Sequence, residues 1–153
     1  MTASPAEAAL RALGIEHAIS RHGPVSSLAE AAAARGIEPG DIVKTLVVRR
    51  GADDFLFVLV PGDREISWPK LRALLGVNRL SLPDAATAKQ VTGYERGTIT
   101  PFGATHAWPV IADASLVGRR VSMGGGAHGV AVALAADDAL HALDATIADV
   151  TSD

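Results

Sequence analysis

The sequence predicts a single α/β domain, spanning 1–153, with a mixed sheet that closes on itself and helices around it. Its 153 residues, of which 48% are hydrophobic, are enough for one core. Patterns typical of helices and of strands are interspersed along the chain, which indicates a mixed α/β architecture. Two near-continuous apolar runs, 42–48 and 55–60, flank a turn and predict a hairpin that is covered on both faces.

The helices are predicted chiefly from their ends. Ser4 and Ser27 begin capping boxes that Glu7 and Glu30 complete, and Ser67 can cap a further helix. Glycines placed after apolar helical patterns indicate where helices end. The expected helices are one that runs to Leu13 and stops at Gly14, an Ala-rich one from Ser27 to Gly36, and Trp68–Leu75, Asp84–Thr92 and Asp137–Leu143.

The strands are predicted from short runs rich in Val, Ile and Leu that lie between turn residues. A turn is expected at His22-Gly23-Pro24. No linker, repeat or charge block divides the chain, which favours one domain. The expected strands are Ile15–Ser20, Asp41–Arg50, Phe55–Val60, Leu80–Leu82, Pro109–Ala112, Arg120–Met123, Val130–Leu134 and Thr146–Val150.

The stretch from Gly93 to Gly103, called here the central loop, fits neither helix nor strand periodicity. It reads Gly-Tyr-Glu-Arg-Gly-Thr-Ile-Thr-Pro-Phe-Gly. Glycine permits positive φ and a close approach of ligand to backbone, whereas Pro101 fixes its own φ. The segment is either a plain connection or a functional loop, and the functional reading is favoured because long loops without secondary structure are uncommon. We expect Gly97 to have a positive φ or to border a ligand, and residues 98–100 to offer backbone N–H groups.

Composition excludes several classes of site. The chain has no cysteine, which removes disulfides, thiolate metal sites and a cysteine nucleophile. Its histidines show no metal-ligand spacing and no Gly-x-Ser-x-Gly elbow is present, so we expect no metal, no cofactor and no serine hydrolase of that type. The net charge of −3 gives no global basic field for nucleic acid. No apolar run predicts a membrane span and no signal pattern is seen, so a cytoplasmic protein is expected.

Chemistry is indicated at Lys44 and at the run 124–129, called here the glycine segment. Lys44 lies inside an apolar strand pattern, as either a solvated edge lysine or a cation aimed at a substrate oxygen. The glycine segment is either a flexible turn or a set of backbone N–H groups for an oxyanion. It has no Gly-Lys-Ser/Thr ending, so it is no phosphate loop. His128, inside it, is the histidine with some catalytic promise.

These motifs occur in an order that resembles a known family. The chain resembles, over nearly its whole length, the YbaK/ProX aminoacyl-tRNA deacylases of the prolyl-tRNA synthetase insertion-domain superfamily. The resemblance implies a mixed, mostly antiparallel sheet curled into a barrel-like core with surrounding helices. It also implies a free-standing trans-editing hydrolase that cleaves the ester of mischarged tRNA, of the tRNA(Pro) type. The motifs that carry it are 43–48, 92–94, 97–103, 111–114 and Gly125-Gly126 before Gly129.

The resemblance also implies site residues and partners. Lys44 matches the family's conserved lysine and Gly97 to Pro101 its Gly-x-x-x-Pro loop, which implies catalytic roles for Lys44 and Gly97. The implied ligand is the acceptor end of a mischarged tRNA, with prolyl-tRNA synthetase as an associated protein and no membrane or DNA contact. The implied substrate-binding residues are Thr45, Thr98, Ile99, Thr100, Pro101, Gly125, Gly126 and His128.

The chain departs from the bacterial cysteinyl-tRNA(Pro) deacylases of this family at three positions. Those proteins have basic residues where Ala127 and His128 stand, and an acidic residue where Ala131 stands. The differences bear on cysteine specificity more than on deacylation itself. Two alternatives stay open: a non-catalytic module that binds tRNA or a nucleotide in the same pocket, and a regulatory or scaffold domain without a ligand.

Overall fold

A hairpin of two long strands lies at the centre of the fold, as the apolar runs predict. The structure is a computed structural model that describes residues 4–23 and 27–152, so Pro24 of the predicted turn lies outside the described residues. In chain order the elements are α1 Pro5–Leu13, β1 His17–Arg21, α2 Leu28–Arg35, β2 Val43–Gly51, β3 Asp54–Pro61, β4 Glu65–Ile66, α3 Trp68–Leu75, α4 Ala85–Thr92, β5 Val110–Asp113, β6 Arg120–Gly124, β7 Val130–Ala135, α5 Ala136–Ala142, β8 Thr146–Ala148 and β9 Thr151–Ser152.

The helices begin and end where the capping signals predict. Ser4 Oγ accepts a hydrogen bond from the backbone N of Glu7 at 3.2 Å, and Ser27 Oγ accepts one from Glu30 at 3.1 Å. Gly14 follows α1 with a φ of 68°, a left-handed conformation that glycine adopts at little steric cost. The predicted helices are confirmed, with the last one starting and ending slightly earlier than expected. None of the described helices is long and apolar enough to cross a membrane.

The described strands form three sheets, and their pairings are mostly antiparallel, as expected. The largest sheet has the order β2-β3-β5-β8, in which the β2–β3 pair is antiparallel and the other two pairs are parallel. β1, β7 and β6 form an antiparallel sheet, and β4 pairs with β9 in a small one. Together with the helices, these sheets make a single α/β domain.

Two strand predictions are wrong in detail. Residues 80–82 do not form a strand, and Ser81 makes only an isolated antiparallel bridge to Arg49. The last predicted strand, Thr146–Val150, ends early as β8 at Ala148, and the backbone N of Val150 donates to Asp113 Oδ1 at 3.0 Å instead of continuing the ladder; β9 follows after the predicted strand. β4 has no counterpart among the predicted strands, since two residues carry no periodic signal.

The expected closure of one sheet into a barrel-like core is not confirmed. The two larger sheets meet through a single parallel bridge between Ile42, just before β2, and Ser122 of β6. Past this bridge the central loop takes the place of further pairing, since a Cβ built on Gly124 would lie only 3.3 Å from the carbonyl oxygen of Ile99. The edge of β2 therefore stays open and borders a cavity.

The hairpin is covered on both faces, which explains its near-continuous apolar sequence. Val43, Val47 and Phe57 belong to one buried cluster, to which α1 and α5 contribute. Leu56 and Val58, on the other face, belong to a second buried cluster with side chains of α3. Because side chains alternate along a strand, Lys44 and Thr45 point to opposite faces of β2.

Candidate active site

A cavity of about 640 Å³, called here the first cavity, opens along the free edge of β2. Its walls are β2, the start of α4 with the residues before it, and the central loop. Most of the lining side chains are aliphatic, so the cavity can hold the apolar part of a ligand away from water. The lining comprises Arg35, residues 42–47 and 82–85, Ala88, Arg96, Gly97, Ile99 and Gly124.

Lys44 lies in the wall of the first cavity, and its ammonium group is only partly engaged. Nζ donates to the backbone oxygen of Arg64 at 2.8 Å and lies 3.7 Å from Glu65 Oε1. Because the Glu65 side chain is 86% exposed, this ion pair contributes little. An ammonium has three donors, so the contact with Arg64 positions Lys44 and leaves donors for a ligand. Lys44 is thus held in place and is not a freely solvated edge lysine.

Thr45, the next residue of β2, has a hydroxyl without a partner. Its Oγ1 is buried, and no hydrogen-bonding group of the described residues reaches it. A buried polar atom without a partner costs about 1–3 kcal/mol. A ligand that bonds this hydroxyl in the first cavity would remove that cost.

Gly97 has a φ of 88°, which confirms the expected left-handed backbone at this position. A Cβ built on Gly97 would meet nothing within 4 Å. Glycine is therefore favoured here by the backbone conformation, and there is no steric clash with neighbouring protein atoms that would require it. Gly97 lines the first cavity, whereas Pro101 is buried and lies away from it. The structure thus brings Gly97, but not Pro101, to the wall that Lys44 and Thr45 share.

The residues after Gly97 differ in which backbone N–H groups they can offer. The N and Oγ1 of Thr98 both donate to Glu95 O, at 2.9 and 2.7 Å, so Thr98 is engaged in a turn. Within the described part of the chain, the N–H groups of Ile99 and Thr100 have no acceptor. Ile99 lines the first cavity, whereas the side chain of Thr100 is buried. Of the expected backbone donors, that of Ile99 is free in a residue that lines the cavity, that of Thr100 belongs to a buried residue outside the lining, and that of Thr98 is used internally.

The glycine segment is bound to the rest of the protein through its own backbone. The N of Gly125 donates to Val130 O at 2.9 Å, and the N of Gly126 donates to Thr98 O at 3.2 Å. A Cβ on Gly126 would lie 2.8 Å from Tyr94 Cε1, so the aromatic ring requires glycine there. Both N–H groups already have acceptors within the protein. Gly125 and Gly126 could therefore contact a substrate only through other atoms, and their role in substrate binding stays a prediction.

His128 lies at a second cavity, of about 560 Å³, and not at the first. Its Nε2 is 3.1 Å from Glu95 Oε2, and Lys89 Nζ is 3.4 Å from the other oxygen of Glu95. These hydrogen bonds, that of His128 foremost, hold the pKa of Glu95 below its ordinary value. His128 therefore links the glycine segment to the central loop from an exposed position, and the structure does not bring it together with Lys44.

The structure also points to Arg35, which the sequence patterns do not single out. Arg35 ends α2, where a basic side chain is ordinarily explained by the helix dipole. In the fold, Arg35 and Gly97 line both cavities. Nη1 of Arg35 donates to Ser122 Oγ at 3.1 Å, and burial lowers the pKa of its guanidinium. Only the tertiary packing of α2 beside β6 reveals this position, so no local signal could have found it.

The first cavity offers the cations of Lys44, Arg35 and Arg96, backbone donors and a hydroxyl, but the described part of its lining contains no histidine, serine or cysteine. Asp84, the carboxylate among the described lining residues, caps α4 by accepting a hydrogen bond from Thr87 N at 2.8 Å, and hydrogen bonding to the Thr87 side chain and then to its backbone lowers the pKa of Asp84. Among the described residues, no group of His, Cys, Asp and Glu could hold a metal ion. The site is therefore of the class that positions a ligand and polarises it with charge and N–H groups.

Comparison with known proteins identifies the family. A family model described as the aminoacyl-tRNA editing domain matches residues 22–142. Because the match covers most of the chain, the protein belongs to the aminoacyl-tRNA editing domain family. This agrees with the resemblance inferred from the sequence motifs.

Individual relatives place the chain near proteins of tRNA charging and editing. It is 43% identical over 63 residues to proline–tRNA ligase of Thermosipho africanus, a match that covers 41% of this chain and 11% of the ligase. It is 26% identical over 118 residues to EbsC of Enterococcus faecalis, a candidate Cys-tRNA(Pro)/Cys-tRNA(Cys) deacylase, with coverage of 76% of this chain and 72% of EbsC. The chain thus spans a small part of the ligase and most of EbsC.

Solved structures share the fold over nearly the whole chain. The hypothetical protein APE2540 has a TM-score of 0.89 and 28% identity, with coverage of 97% of this chain and 100% of that one. A candidate trans-editing enzyme for prolyl tRNA synthetase has a TM-score of 0.87 and 25% identity, with coverage of 97% and 96%. The α/β fold described above is therefore that of a trans-editing candidate.

Proposed function

We propose that the protein is a trans-editing hydrolase that deacylates mischarged aminoacyl-tRNA, of the tRNA(Pro) type, in the cytoplasm. The observation that carries the proposal is the first cavity, which Lys44 and Thr45 line from the open edge of β2 and Gly97 lines from the central loop. Membership of the aminoacyl-tRNA editing domain family supports it. The likeness to EbsC and to the trans-editing candidate, which extends over most of each protein, supports a trans-acting domain.

The reaction is hydrolysis of an ester. A water molecule attacks the carbonyl carbon that joins the amino acid to the terminal ribose, and the carbonyl oxygen becomes an oxyanion. The bond from carbon to ribose oxygen then breaks, and the ribose hydroxyl and the free amino acid leave. Among the described lining residues, the hydroxyl of Thr45 has no hydrogen-bonded base to activate it, and no serine, cysteine or histidine is present. We therefore assign catalysis to positioning and charge, with a substrate hydroxyl assisting as the family resemblance implies.

Each residue of the cavity has a role in this proposal. Lys44 polarises the ester or holds the acceptor end, and Gly97 shapes the central loop so that the N–H group of Ile99 faces the carbonyl oxygen, with the buried Thr100 supporting the loop behind it. The hydroxyl of Thr45 bonds the substrate. The residues that join the central loop to the glycine segment, or border the second cavity, are proposed to keep this arrangement in place: Thr98, Pro101, Gly125, Gly126 and His128.

An editing step is useful because a synthetase pocket alone discriminates poorly between similar amino acids. A synthetase pocket rejects a smaller amino acid poorly, since one methylene is worth about 1–3 kcal/mol, and a second site can remove what the first admits. The departures at Ala127, His128 and Ala131 favour an amino acid other than cysteine. Association with prolyl-tRNA synthetase is part of the proposal, supported by the ligases among the relatives.

The test is deacylation of a panel of mischarged tRNAs, including tRNA(Pro) charged with alanine, serine and cysteine. We expect release of at least one amino acid at a rate well above spontaneous hydrolysis. Binding of tRNA without hydrolysis of any ester would instead establish the non-catalytic module, and absence of both would leave a scaffold domain.

A further inference from the structure

Arg35 differs from Arg50 and Arg119, two other half-buried arginines, in that no acidic group among the described residues accompanies it. Arg50 and Arg119 pair with Asp54 and Asp41, at 3.0 and 2.8 Å. Arg35 instead donates one hydrogen bond, from Nη1 to Ser122 Oγ at 3.1 Å, and no carboxylate among the described residues is within ion-pair distance. Its Nε is buried and has no acceptor within the described ranges, 4–23 and 27–152.

These features describe a cation that is prepared for an anion. A guanidinium carries five donors in a rigid plane and matches the oxygens of a phosphate in a bidentate manner. Partial burial removes water from Arg35, and this desolvation lowers its pKa. An anion that bonds the remaining donors of the guanidinium from either cavity would compensate for the lost hydration. Ser122 holds the guanidinium in one orientation from the opposite end.

The location of Arg35 restricts which anion this is. Arg35 and Gly97 line both the first cavity, which is mainly aliphatic, and the second cavity, which His22 and His128 border. An aminoacyl ester has no free carboxylate, and its amino group is a cation that Arg35 would repel. The nearest anion in an aminoacyl-tRNA is the phosphodiester before the terminal adenosine.

We propose that Arg35 binds the phosphodiester that joins the last two nucleotides of the tRNA acceptor end. The terminal adenosine with its aminoacyl group then lies in the first cavity, and the preceding nucleotide lies toward the second. This assignment rests on the proposed function, because it places the terminal adenosine beside Lys44 and Thr45. Arg35 is a binding residue here and takes no part in bond breaking.

The test compares adenosine with the dinucleotide CpA, which adds one phosphodiester and one nucleotide. Both are titrated at low salt into wild type, Arg35→Gln, Arg35→Lys and the control Arg11→Gln. Arg11 has the same charge but is exposed on α1 and lines neither cavity. We expect wild type and Arg11→Gln to bind CpA about tenfold more tightly than adenosine, with an advantage that falls as salt rises. Arg35→Gln should lose this advantage and keep its affinity for adenosine, and Arg35→Lys should keep part of it.

Three results would overturn the assignment: equal binding of CpA and adenosine by wild type, an equal loss of both in Arg35→Gln, or Arg35-dependent binding of inorganic phosphate as tight as that of CpA. The unchanged affinity for adenosine shows that Arg35→Gln is folded. The proposed function is tested separately by hydrolysis of mischarged tRNA. A protein that hydrolyses no ester but shows the Arg35-dependent preference for CpA refutes the deacylase and keeps the phosphodiester site.

Discussion

Asp113 and the first cavity are two buried polar regions that differ in whether their hydrogen bonds are complete. Asp113 Oδ1 accepts from Val150 N at 3.0 Å and from Thr151 Oγ1 at 3.1 Å. Its Oδ2 accepts from the backbone N of Ser115 at 3.2 Å and from the Ser115 hydroxyl. In the first cavity, by contrast, Thr45 Oγ1 and Arg35 Nε are buried without partners.

The contrast separates polar groups that stabilise the fold from those that await a ligand. A complete network such as that of Asp113 fixes the C-terminal strands to β5 and has nothing left to offer. An incomplete set costs free energy in the isolated protein, and it persists where a ligand can complete it. Substitutions in the first cavity should therefore reduce activity with little loss of stability, whereas substitutions at Asp113 should do the reverse.

The largest expected effect is at Lys44. Lys44→Ala removes the cation that β2 contributes to the first cavity, so we expect kcat/KM for a mischarged tRNA to fall at least about a hundredfold, with circular dichroism unchanged. Lys70→Ala is the matched control, since Lys70 pairs with Asp149 on the surface and does not line the first cavity. Wild-type rates in Lys44→Ala would exclude any catalytic or positioning role for this residue.

The next effect is expected at Gly97, where the backbone does the positioning. In Gly97→Ala a side chain must adopt a φ of 88°, and a shift of the following N–H groups by about 1 Å can cost about a hundredfold in rate. Gly118→Ala is the control, because Gly118 has a φ of 79°, equally open surroundings and a place outside both cavities. The two variants should lose similar stability, and only Gly97→Ala should lose activity.

Thr98→Ala and Thr100→Ala complete this experiment. Their hydroxyls bond to protein backbone, Thr98 Oγ1 to Glu95 O at 2.7 Å and Thr100 Oγ1 to Phe102 N at 3.3 Å. We therefore expect a modest loss of stability and a much smaller loss of rate than in Gly97→Ala. Near-normal activity in folded Gly97→Ala, combined with loss in a threonine variant, would assign the chemistry to a hydroxyl.

At Asp113 the effect should appear in stability. Burial alone would raise the pKa of Asp113, but the hydrogen bonds from Ser115, Val150 and Thr151 outweigh it and hold the pKa below its ordinary value. Asp113→Asn places an N–H₂ group against these donors, so we expect a loss of about 2–3 kcal/mol in urea unfolding.

The pH dependence gives a second check on Asp113. Because its pKa is lower in the folded than in the unfolded protein, its contribution is complete above the unfolded value, near 3.8, and is lost as pH falls through the folded value. Wild type should therefore lose more stability than Asp113→Asn on acidification through this range. If stability fell equally with pH in the two proteins, the lowered pKa of Asp113 in the folded state would be contradicted.

The sequence predicts the elements of this fold better than their assembly. Caps at Ser4 and Ser27 and the apolar hairpin are local signals, and the structure confirms them. The expected barrel depended on how two sheets meet, and this is decided by a single bridge at Ile42 and by backbone contact between Gly124 and the central loop. No periodicity in either strand encodes that contact.

The site shows the same division. Lys44 and Gly97 were predictable, one as a cation in an apolar strand and the other as a glycine in a shaped loop. Arg35 was not, because its meaning depends on the packing of α2 beside β6. The sequence also could not predict the hydrogen bonds of Gly125 and Gly126, since only the fold shows that protein oxygens already accept from their N–H groups.

The smallest expected effect is that of Thr45→Val, and it tests the contrast between the first cavity and Asp113 most directly. Thr45→Val replaces the hydroxyl without a partner by a methyl group of similar size. Since no group in the described part of the chain bonds Oγ1, we expect the free energy of unfolding to stay the same or to rise by about 1 kcal/mol, which is opposite in sign to Asp113→Asn. The lost substrate contact should lower kcat/KM for mischarged tRNA about five- to tenfold. Urea unfolding and single-turnover deacylation measure the two quantities. A destabilised Thr45→Val with unchanged activity would mean that the hydroxyl serves the fold, and the distinction between the two buried regions would then fail.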